Sequence, residues 1–201
     1  KISDRTRSQV ALSSHEDFER VDRLRADSDA VLVGVGTVLA DDPSLTVKDG
    51  KRRAEDGNPT RVVLDSEARI PPDATVLDDE APTIVFVTES APDDRLAELR
   101  RSATVEETEG DRVEPSSVTA ALAERGVESL MIEGGGETIA SFLGAGLVDE
   151  IYVYVAPVFV GGREAPTLVD GEGFLDYVDA KLEDVERLGD GVVLRYVTEG
   201  R

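Results

Sequence analysis

The stretch best equipped for chemistry is Glu133-Gly134-Gly135-Gly136-Glu137, which follows the apolar run Leu130-Met131-Ile132. Three consecutive glycines remove every β-carbon from the turn, so a ligand can come up against the backbone. The amides that follow belong to a helix N-terminus, where unpaired N–H groups and the macrodipole attract phosphate. Glu133, at the mouth of the turn, adds a fixed acceptor for hydroxyl or amino groups. A triple glycine also serves simply to let a strand and a helix pack closely, and both readings stand open. A second glycine-bearing unit, Gly34-Val35-Gly36-Thr37, leads into Val38-Leu39-Ala40-Asp41. Thr37 and Asp41 fall one helical turn apart on one face. A hydroxyl and a carboxylate so placed can hold a nucleotide's ribose or amide, or they are only the cap and the end of the helix. The third group is Ser66-Glu67-Ala68-Arg69, just past the strand Arg61–Asp65. Ligands of open α/β sheets bind beyond such strand ends, and Ser with Arg suits a phosphate monoester such as a ribose 2′-phosphate. An exposed turn with a surface arginine is the plain alternative.

Composition narrows the chemistry further. At 201 residues the chain is long enough for a substantial core, in one domain or a tight pair, and a 40% hydrophobic content excludes a disordered polymer. The chain has no Cys and a single histidine, His15, which argues against a metal site built from these ligands and against a Ser-His pair. A net charge of −21 argues against nucleic acid as a partner, because phosphate contacts need clustered Lys and Arg. Spread over the whole chain, that charge fits a solvated acidic surface in a salt-rich cytosol, where screening tolerates it. No apolar run approaches the roughly 18 residues of a membrane span. The chain opens at Lys1 rather than Met and shows no signal-peptide core, so native residues are expected to precede it.

The elements that would carry these groups alternate. Ser13 or Ser14 caps a helix in which Phe18, Val21 and Leu24 form an apolar stripe. His15 falls in its first turn. Asp29–Gly34, Arg61–Asp65, Thr83–Val87, 103–106 and 127–132 read as strands, the first as a buried parallel one and the last, with Leu130-Met131-Ile132, also as buried. Helices fall at 93–101, Ser116–Arg125 and 137–144, the last ending at the C-cap glycines Gly144 and Gly146. Residues 48–60 read as a mobile loop. Asp149–Val155 alternates like a strand, and Leu182–Leu188 with Val192–Val197 forms an antiparallel hairpin through Gly189-Asp190-Gly191. The expected class is α/β, a mostly parallel central sheet with an antiparallel C-terminal edge and helices on both faces.

Taken in order, several segments resemble the reductase family of riboflavin biosynthesis. They are Arg25-Ala26 before Asp29-Ala30, Gly34 to Thr46, Pro59 to Ser66, Glu133-Gly134-Gly135-Gly136, and Ala156-Pro157 with Gly161-Gly162. The closing Ala165-Pro166-Thr167 and Asp170-Gly171-Glu172-Gly173-Phe174 resemble the archaeal stand-alone branch. The resemblance covers nearly the whole chain. It implies a dihydrofolate-reductase-like three-layer fold and an NADPH-dependent reduction, with NADH as the alternative cofactor. The implied substrate is 2,5-diamino-6-ribosylamino-4(3H)-pyrimidinone 5′-phosphate, whose ribosyl C1′ takes a hydride and becomes a ribitol carbon. Carried over residue by residue, Thr37, Asp41, Ser66, Glu67, Ala68, Arg69, Gly134, Gly135, Gly136 and Glu137 match cofactor contacts. Ser8, Arg25, Leu45, Lys48 and Glu133 match substrate contacts, with Gln9 competing for the place of Ser8. Lys48 departs from the pattern, since relatives often carry Arg there. Lys1 resembles the end of an Asp-Gly-Lys turn that closes a first strand absent from this chain. A homodimer and a cytoplasmic location are family expectations.

The proton donor for the reduction stays unassigned; Asp41 and Glu133 are the nearest acidic candidates. Two rival readings follow. One is another reductase of the same fold, acting on the deaminated uracil form or on a folate; the lack of Trp and the 4% aromatic content speak against folate. The other is a nucleotide-binding module without catalysis.

Overall fold

The computed structural model describes residues 12–50, 57–163 and 165–198. The chain divides into two compact units, Asp22–Gly135 and a second that joins the described part of Lys1–Val21 to Gly136–Arg201. The expectations placed on Lys1, Ser8 and Gln9 lie outside the described residues.

The Asp22–Gly135 unit is built on five parallel strands, β1 (Ala30–Gly34), β2 (Thr60–Leu64), β3 (Thr83–Thr88), β4 (Thr104–Thr108) and β5 (Leu130–Ile132), in the order β4-β3-β2-β1-β5. β1 is the central template: Ala30 pairs with Thr60 on one side and with Leu130 on the other. Its Ala30, Val31, Leu32 and Val33 are fully buried, and every residue of β3 is buried. Such runs, apolar on both faces of the strand, are what a parallel sheet covered by other elements requires. Each fully buried Val or Leu contributes about 1.5–3 kcal/mol relative to an exposed one. Val31, Val33, Val63, Val85 and Val87 form one cluster with Ile70, Val76, Leu96 and Leu99. β5 is different from its sequence expectation as a buried strand. All three of its residues are only half-buried, because β5 is an edge strand with one hydrogen-bonded neighbour.

The helices of this unit are α2 (Val35–Asp41), α3 (Asp93–Leu99) and α4 (Pro115–Ala123). α2 corrects the reading of Gly34–Thr37 as a glycine turn. Gly34 is the extended N-cap at φ −79°, and Val35 already opens the helix, so β1 runs straight into α2. α2 ends at Asp42, which is left-handed at φ 42°. The two carboxylate oxygens of Asp42 accept from the amide and the hydroxyl of Thr75, at 2.7 and 2.8 Å. Thr75 opens a short 3₁₀ turn, Thr75–Leu77, which no sequence expectation covered.

α1 (His15–Ala26) spans the division between the units at Val21 and Asp22. Ser14 caps it as expected, its hydroxyl accepting from the Asp17 amide at 3.2 Å. The apolar stripe is not its buried side: Phe18 is exposed, whereas Asp17 and Asp22 are buried. Hydrogen bonding explains the exchange. Asp17 pairs with Arg20 at 2.8 Å, and Asp22 accepts the amides of Lys48 and Asp49 at 2.6 and 2.9 Å.

The Gly136–Arg201 unit carries α5 (Gly136–Gly144), β6 (Glu150–Val155), β7 (Ala180–Leu188) and β8 (Gly191–Thr198). β7 and β8 form the expected hairpin, turning through Gly189 and Asp190 with Gly189 at φ 58°. The hairpin does not extend the parallel sheet. β8 pairs antiparallel with β6 as well, which makes a separate three-stranded sheet in the order β6-β8-β7. The registers are specific: Tyr154 stands opposite Val193, and a β-carbon on Gly191 would meet the Tyr154 ring at 2.6 Å. Among the described residues no helix is long and apolar enough to cross a membrane.

Candidate active site

One ion pair joins the last turn of α1 to the end of β5. The backbone of Glu133, the residue after β5, donates to the Leu32 carbonyl of β1 at 2.8 Å, which fixes where its side chain leaves the sheet. Both carboxylate oxygens then take guanidinium protons of Arg25, from Nε and Nη2, each at 2.6 Å. Nη1 of Arg25 donates to the Thr46 carbonyl at 3.2 Å. This is the two-pronged geometry in which Arg recognises a carboxylate best. Burial works against the charge of Arg25, but the hydrogen bonds and charge of Glu133, with Asp22, outweigh it and hold the guanidinium above its ordinary value.

Gly134 and Gly135 continue from Glu133 with φ 69° and 78°, a left-handed pair that a side chain would strain. A β-carbon on Gly134 would touch the Thr37 hydroxyl oxygen at 3.4 Å, so Thr37 on α2 borders the turn. Asp41 lies one helical turn further along α2 and is exposed. Gly136 and Glu137 are the first residues of α5, which corrects the expectation of three glycines in the turn and a helix from 137: the third glycine is already helical.

The loop from Ser44 to Asp49 is wired from several sides. Leu45 is left-handed at φ 52° and its side chain is buried in the core cluster, so only its backbone is offered to a ligand. Val47 donates to the Asn58 side chain at 3.1 Å, and Asp22 holds the next two amides. The ammonium of Lys48 donates to the hydroxyls of Ser44 and Thr46 at 2.5 and 3.0 Å.

The corner after β2 is organised by Asp65, which the sequence reading treated only as the strand's last residue. Asp65 is fully buried. Its Oδ2 accepts the Ile70 amide at 2.8 Å and its carbonyl accepts the Ala68 amide at 3.0 Å, which folds Ser66–Arg69 into a tight turn. Ala68 is forced into the left-handed region, at φ 54°, and is buried. Among the described residues the non-glycine residues at positive φ are Asp42, Leu45 and Ala68. Such residues cost free energy and persist where the surroundings over-determine them, often at ligand sites. Ser66 Oγ accepts the Val113 amide at 3.2 Å. Arg69 is half-exposed, with Nε 3.7 Å from Asp65 Oδ1 and 3.7 Å from Glu67 Oε2. The structure therefore brings Arg25 to Glu133, and Thr37 to Gly134, and assembles Ser66–Arg69 as one turn. It gives Leu45 a core role for its side chain. The sequence signal for Asp65 was only an aspartate at the end of a strand; its burial comes from the fold. Among the described residues no acidic or His cluster is placed to hold a metal ion.

Residues 1–194 match the RibD C-terminal domain family. A protein of Archaeoglobus fulgidus named 2,5-diamino-6-ribosylamino-4(3H)-pyrimidinone 5′-phosphate reductase is 48% identical over 197 residues, 95% of this chain and 89% of the relative. A reductase of the same name from Methanothermobacter thermautotrophicus is 47% identical over 192 residues, 94% of this chain and 88% of the relative. The RibD structure of Acinetobacter baumannii superposes with a TM-score of 0.80 at 27% identity, covering 98% of this chain and 54% of that longer one. The chain belongs to the RibD C-terminal domain family, and its relatives are oxidoreductases.

Proposed function

We propose that this member of the RibD C-terminal domain family reduces 2,5-diamino-6-ribosylamino-4(3H)-pyrimidinone 5′-phosphate with NADPH. What carries the reading is the Arg25–Glu133 pair at the mouth of the Gly134-Gly135 turn, joined to relatives of that name at nearly half identity over nine-tenths of the chain. The residues present suit a dinucleotide. The turn lacks β-carbons where one would touch Thr37, α5 starts directly after it, and the Ser66–Arg69 turn offers a hydroxyl and a guanidinium.

A nicotinamide cofactor, when bound, supplies the hydride. The protein orients the partners, which can provide much of the rate. Gly134–Glu137 hold the pyrophosphate through backbone amides, Thr37 and Asp41 hold the nicotinamide half, and Ser66 with Arg69 holds the ribose 2′-phosphate. On the substrate side, Glu133 accepts from the pyrimidine's amino groups, and Arg25 keeps that carboxylate in place. The backbone at Leu45 and the Lys48 ammonium complete the substrate edge. C1′, presented as the ring-opened imine, takes the hydride, and the neighbouring nitrogen takes a proton to give the ribitylamino product. Because Arg25 engages both oxygens of Glu133, this carboxylate serves as an acceptor that orients substrate.

The deciding experiment incubates the protein, NADPH and the ribosylamino-pyrimidine phosphate in high salt, and identifies the product by mass spectrometry. A gain of two hydrogens with the amino group retained supports the reading. Turnover of the deaminated uracil substrate alone transfers the assignment to that reaction. Tight NADPH binding without turnover of either substrate makes the chain a binding module.

The protein acts as a homodimer in a salt-rich cytosol. Support comes from the net charge of −21 and from apolar side chains that the Gly136–Arg201 unit exposes, including Tyr152, Val155, Leu182 and Val185 on its sheet. Light scattering on the eluted protein gives the oligomeric mass directly.

A further inference from the structure

The Asp170-Gly171-Glu172-Gly173-Phe174 motif has so far carried no role. In the Gly136–Arg201 unit it lies against both ends of α5. At the start of the helix, the Asp170 amide donates to the Gly136 carbonyl at 3.2 Å. The Asp170 side chain fills the space where Gly136 has no β-carbon: one added there would stand 2.6 Å from Oδ2, 2.8 Å from Cγ and 2.9 Å from Cβ. Real β-carbons do not tolerate such distances, and close packing leaves no room for both groups. At the far end, a β-carbon on Gly144 would meet the Phe174 ring at 3.2 Å. Thr167 locks the aspartate in place. Its amide reaches Oδ1 and Oδ2 at 3.1 and 3.3 Å, and its hydroxyl donates to Oδ1.

We propose that Asp170 is a positioning residue for the cofactor turn, and that its shape rather than its charge does the positioning. By occupying the missing β-carbon space of Gly136 while tied back to Thr167, it sets the direction in which the first amides of α5 point. The glycine at position 136 is then required for a reason separate from its neighbours. Gly134 and Gly135 need freedom at positive φ, whereas Gly136 is helical and needs only to be small. Shape is favoured because both carboxylate oxygens are already engaged by Thr167. An asparagine, of the same outline and with one carbonyl oxygen to accept from Thr167, preserves that arrangement.

This inference rests on the reading that NADPH uses the Gly134–Glu137 turn, and the experiment separates the two. NADPH is titrated by fluorescence into wild type, Gly135→Ala, Gly136→Ala, Asp170→Ala, Asp170→Asn and Gly136→Ala/Asp170→Gly. Circular dichroism and thermal melting confirm that each variant folds. Gly136→Ala and Asp170→Ala should each weaken NADPH binding on the order of tenfold, about 1.4 kcal/mol, and in Asp170→Ala the loss should fall on KM for NADPH more than on kcat. Asp170→Asn should stay within about twofold of wild type, and the double variant should recover part of the loss of Gly136→Ala, since close residues couple. Amide hydrogen exchange without cofactor gives a second readout: Ala140–Phe142, whose amides fall in the first hydrogen-bonded turn of α5, should exchange faster in Asp170→Ala and not in Asp170→Asn. If Gly135→Ala weakens binding while the Gly136 and Asp170 variants do not, Asp170 has no positioning role and the cofactor turn stands. Equal losses in Asp170→Asn and Asp170→Ala would overturn the shape argument. If wild type does not bind NADPH, the turn reading and this inference fall together.

Discussion

Arg25 and Glu133 stand 108 positions apart in the chain and meet through two 2.6 Å hydrogen bonds, one from each side of the guanidinium fork. The pair links the last turn of α1 to the residue after β5, and both side chains are largely shielded from water. Glu133→Gln should therefore lower kcat/KM for the pyrimidine on the order of tenfold or more, mostly through KM, because an amide presents one acceptor where the carboxylate presents two. It should also cost about 1–3 kcal/mol of stability, since part of the Arg25 fork loses its partner. Arg25→Lys should not rescue the function, because a point-like ammonium cannot hold both oxygens. Steady-state kinetics together with thermal melting check both; an unchanged kcat/KM in Glu133→Gln would remove its substrate role.

Cofactor choice should depend on the turn that Asp65 builds. Arg69 is held within 3.7 Å of both Asp65 and Glu67 while remaining half-exposed. A guanidinium there favours a cofactor with an additional phosphate over one with a bare ribose. Arg69→Ala should reduce the ratio of kcat/KM for NADPH over NADH on the order of tenfold, chiefly by weakening NADPH. An unchanged ratio would show that the 2′-phosphate is not recognised at this turn.

Much of this was legible in the chain, and the exceptions share a cause. β1, β2 and β3 declare themselves as continuous apolar runs, and the glycines at 134 and 135 announce a turn that demands positive φ. Phe18, Val21 and Leu24 misled as a stripe, because helical spacing reports which residues could be buried together. It does not report that Asp17 and Asp22 will be buried instead to satisfy Arg20 and the 48–49 amides. The same holds for Arg61, a buried polar residue whose partners come from elsewhere in the chain, and for Asp65, buried to hold the Ala68 and Ile70 amides of its own turn. Periodicity sees the apolar face of an element, whereas the site is held by polar groups whose pairing depends on the tertiary fold. The separate antiparallel sheet escaped for a related reason, since strand alternation does not name the partner strand.

Arg61 is the strongest test of how polar pairing supports the sheet. It is fully buried on β2, and its guanidinium donates to Thr83 Oγ1 at 2.8 Å, to Asp78 Oδ1 at 2.7 Å and to the carbonyls of Thr75, Asp78 and Ala81. It thus fastens the 75–81 segment, and with it the Thr75 end of the Asp42 contact, to the sheet. Arg61→Ala leaves these acceptors unpaired along with a cavity, and should destabilise the protein by about 3–5 kcal/mol. Arg61→Lys should recover only a minor part, because one ammonium cannot reach all five acceptors. Chemical denaturation at high salt measures both, and a loss below about 1 kcal/mol for the alanine variant would contradict the fastening role.

The start of the sheet carries a pH dependence whose sign is fixed. Asp29 precedes β1, and its Oδ2 accepts the amides of Glu128 and Ser129 at 2.9 and 2.8 Å and the Ser129 hydroxyl at 2.9 Å. The Glu128 amide foremost, then the Ser129 hydroxyl and amide, stabilise the carboxylate and lower its pKa below the ordinary aspartate value. The unfolded chain therefore binds the proton more readily than the folded one. The contribution of Asp29 to stability is present above the unfolded pKa of about 4 and is lost as pH falls through the lower folded value. The acidic residues number 43, so many other carboxylates titrate in the same range and the melting temperature of wild type alone says little. The informative quantity is the difference between wild type and Asp29→Asn, measured at constant high salt from about pH 6 down to about pH 3. Wild type should melt higher at the upper end, and the gap should narrow steadily toward the lower end, as protonation gives Asp29 the same neutral outline as asparagine. A gap that stayed constant, or widened in acid, would show that the charge of Asp29 does not hold β1 to the segment that leads into β5.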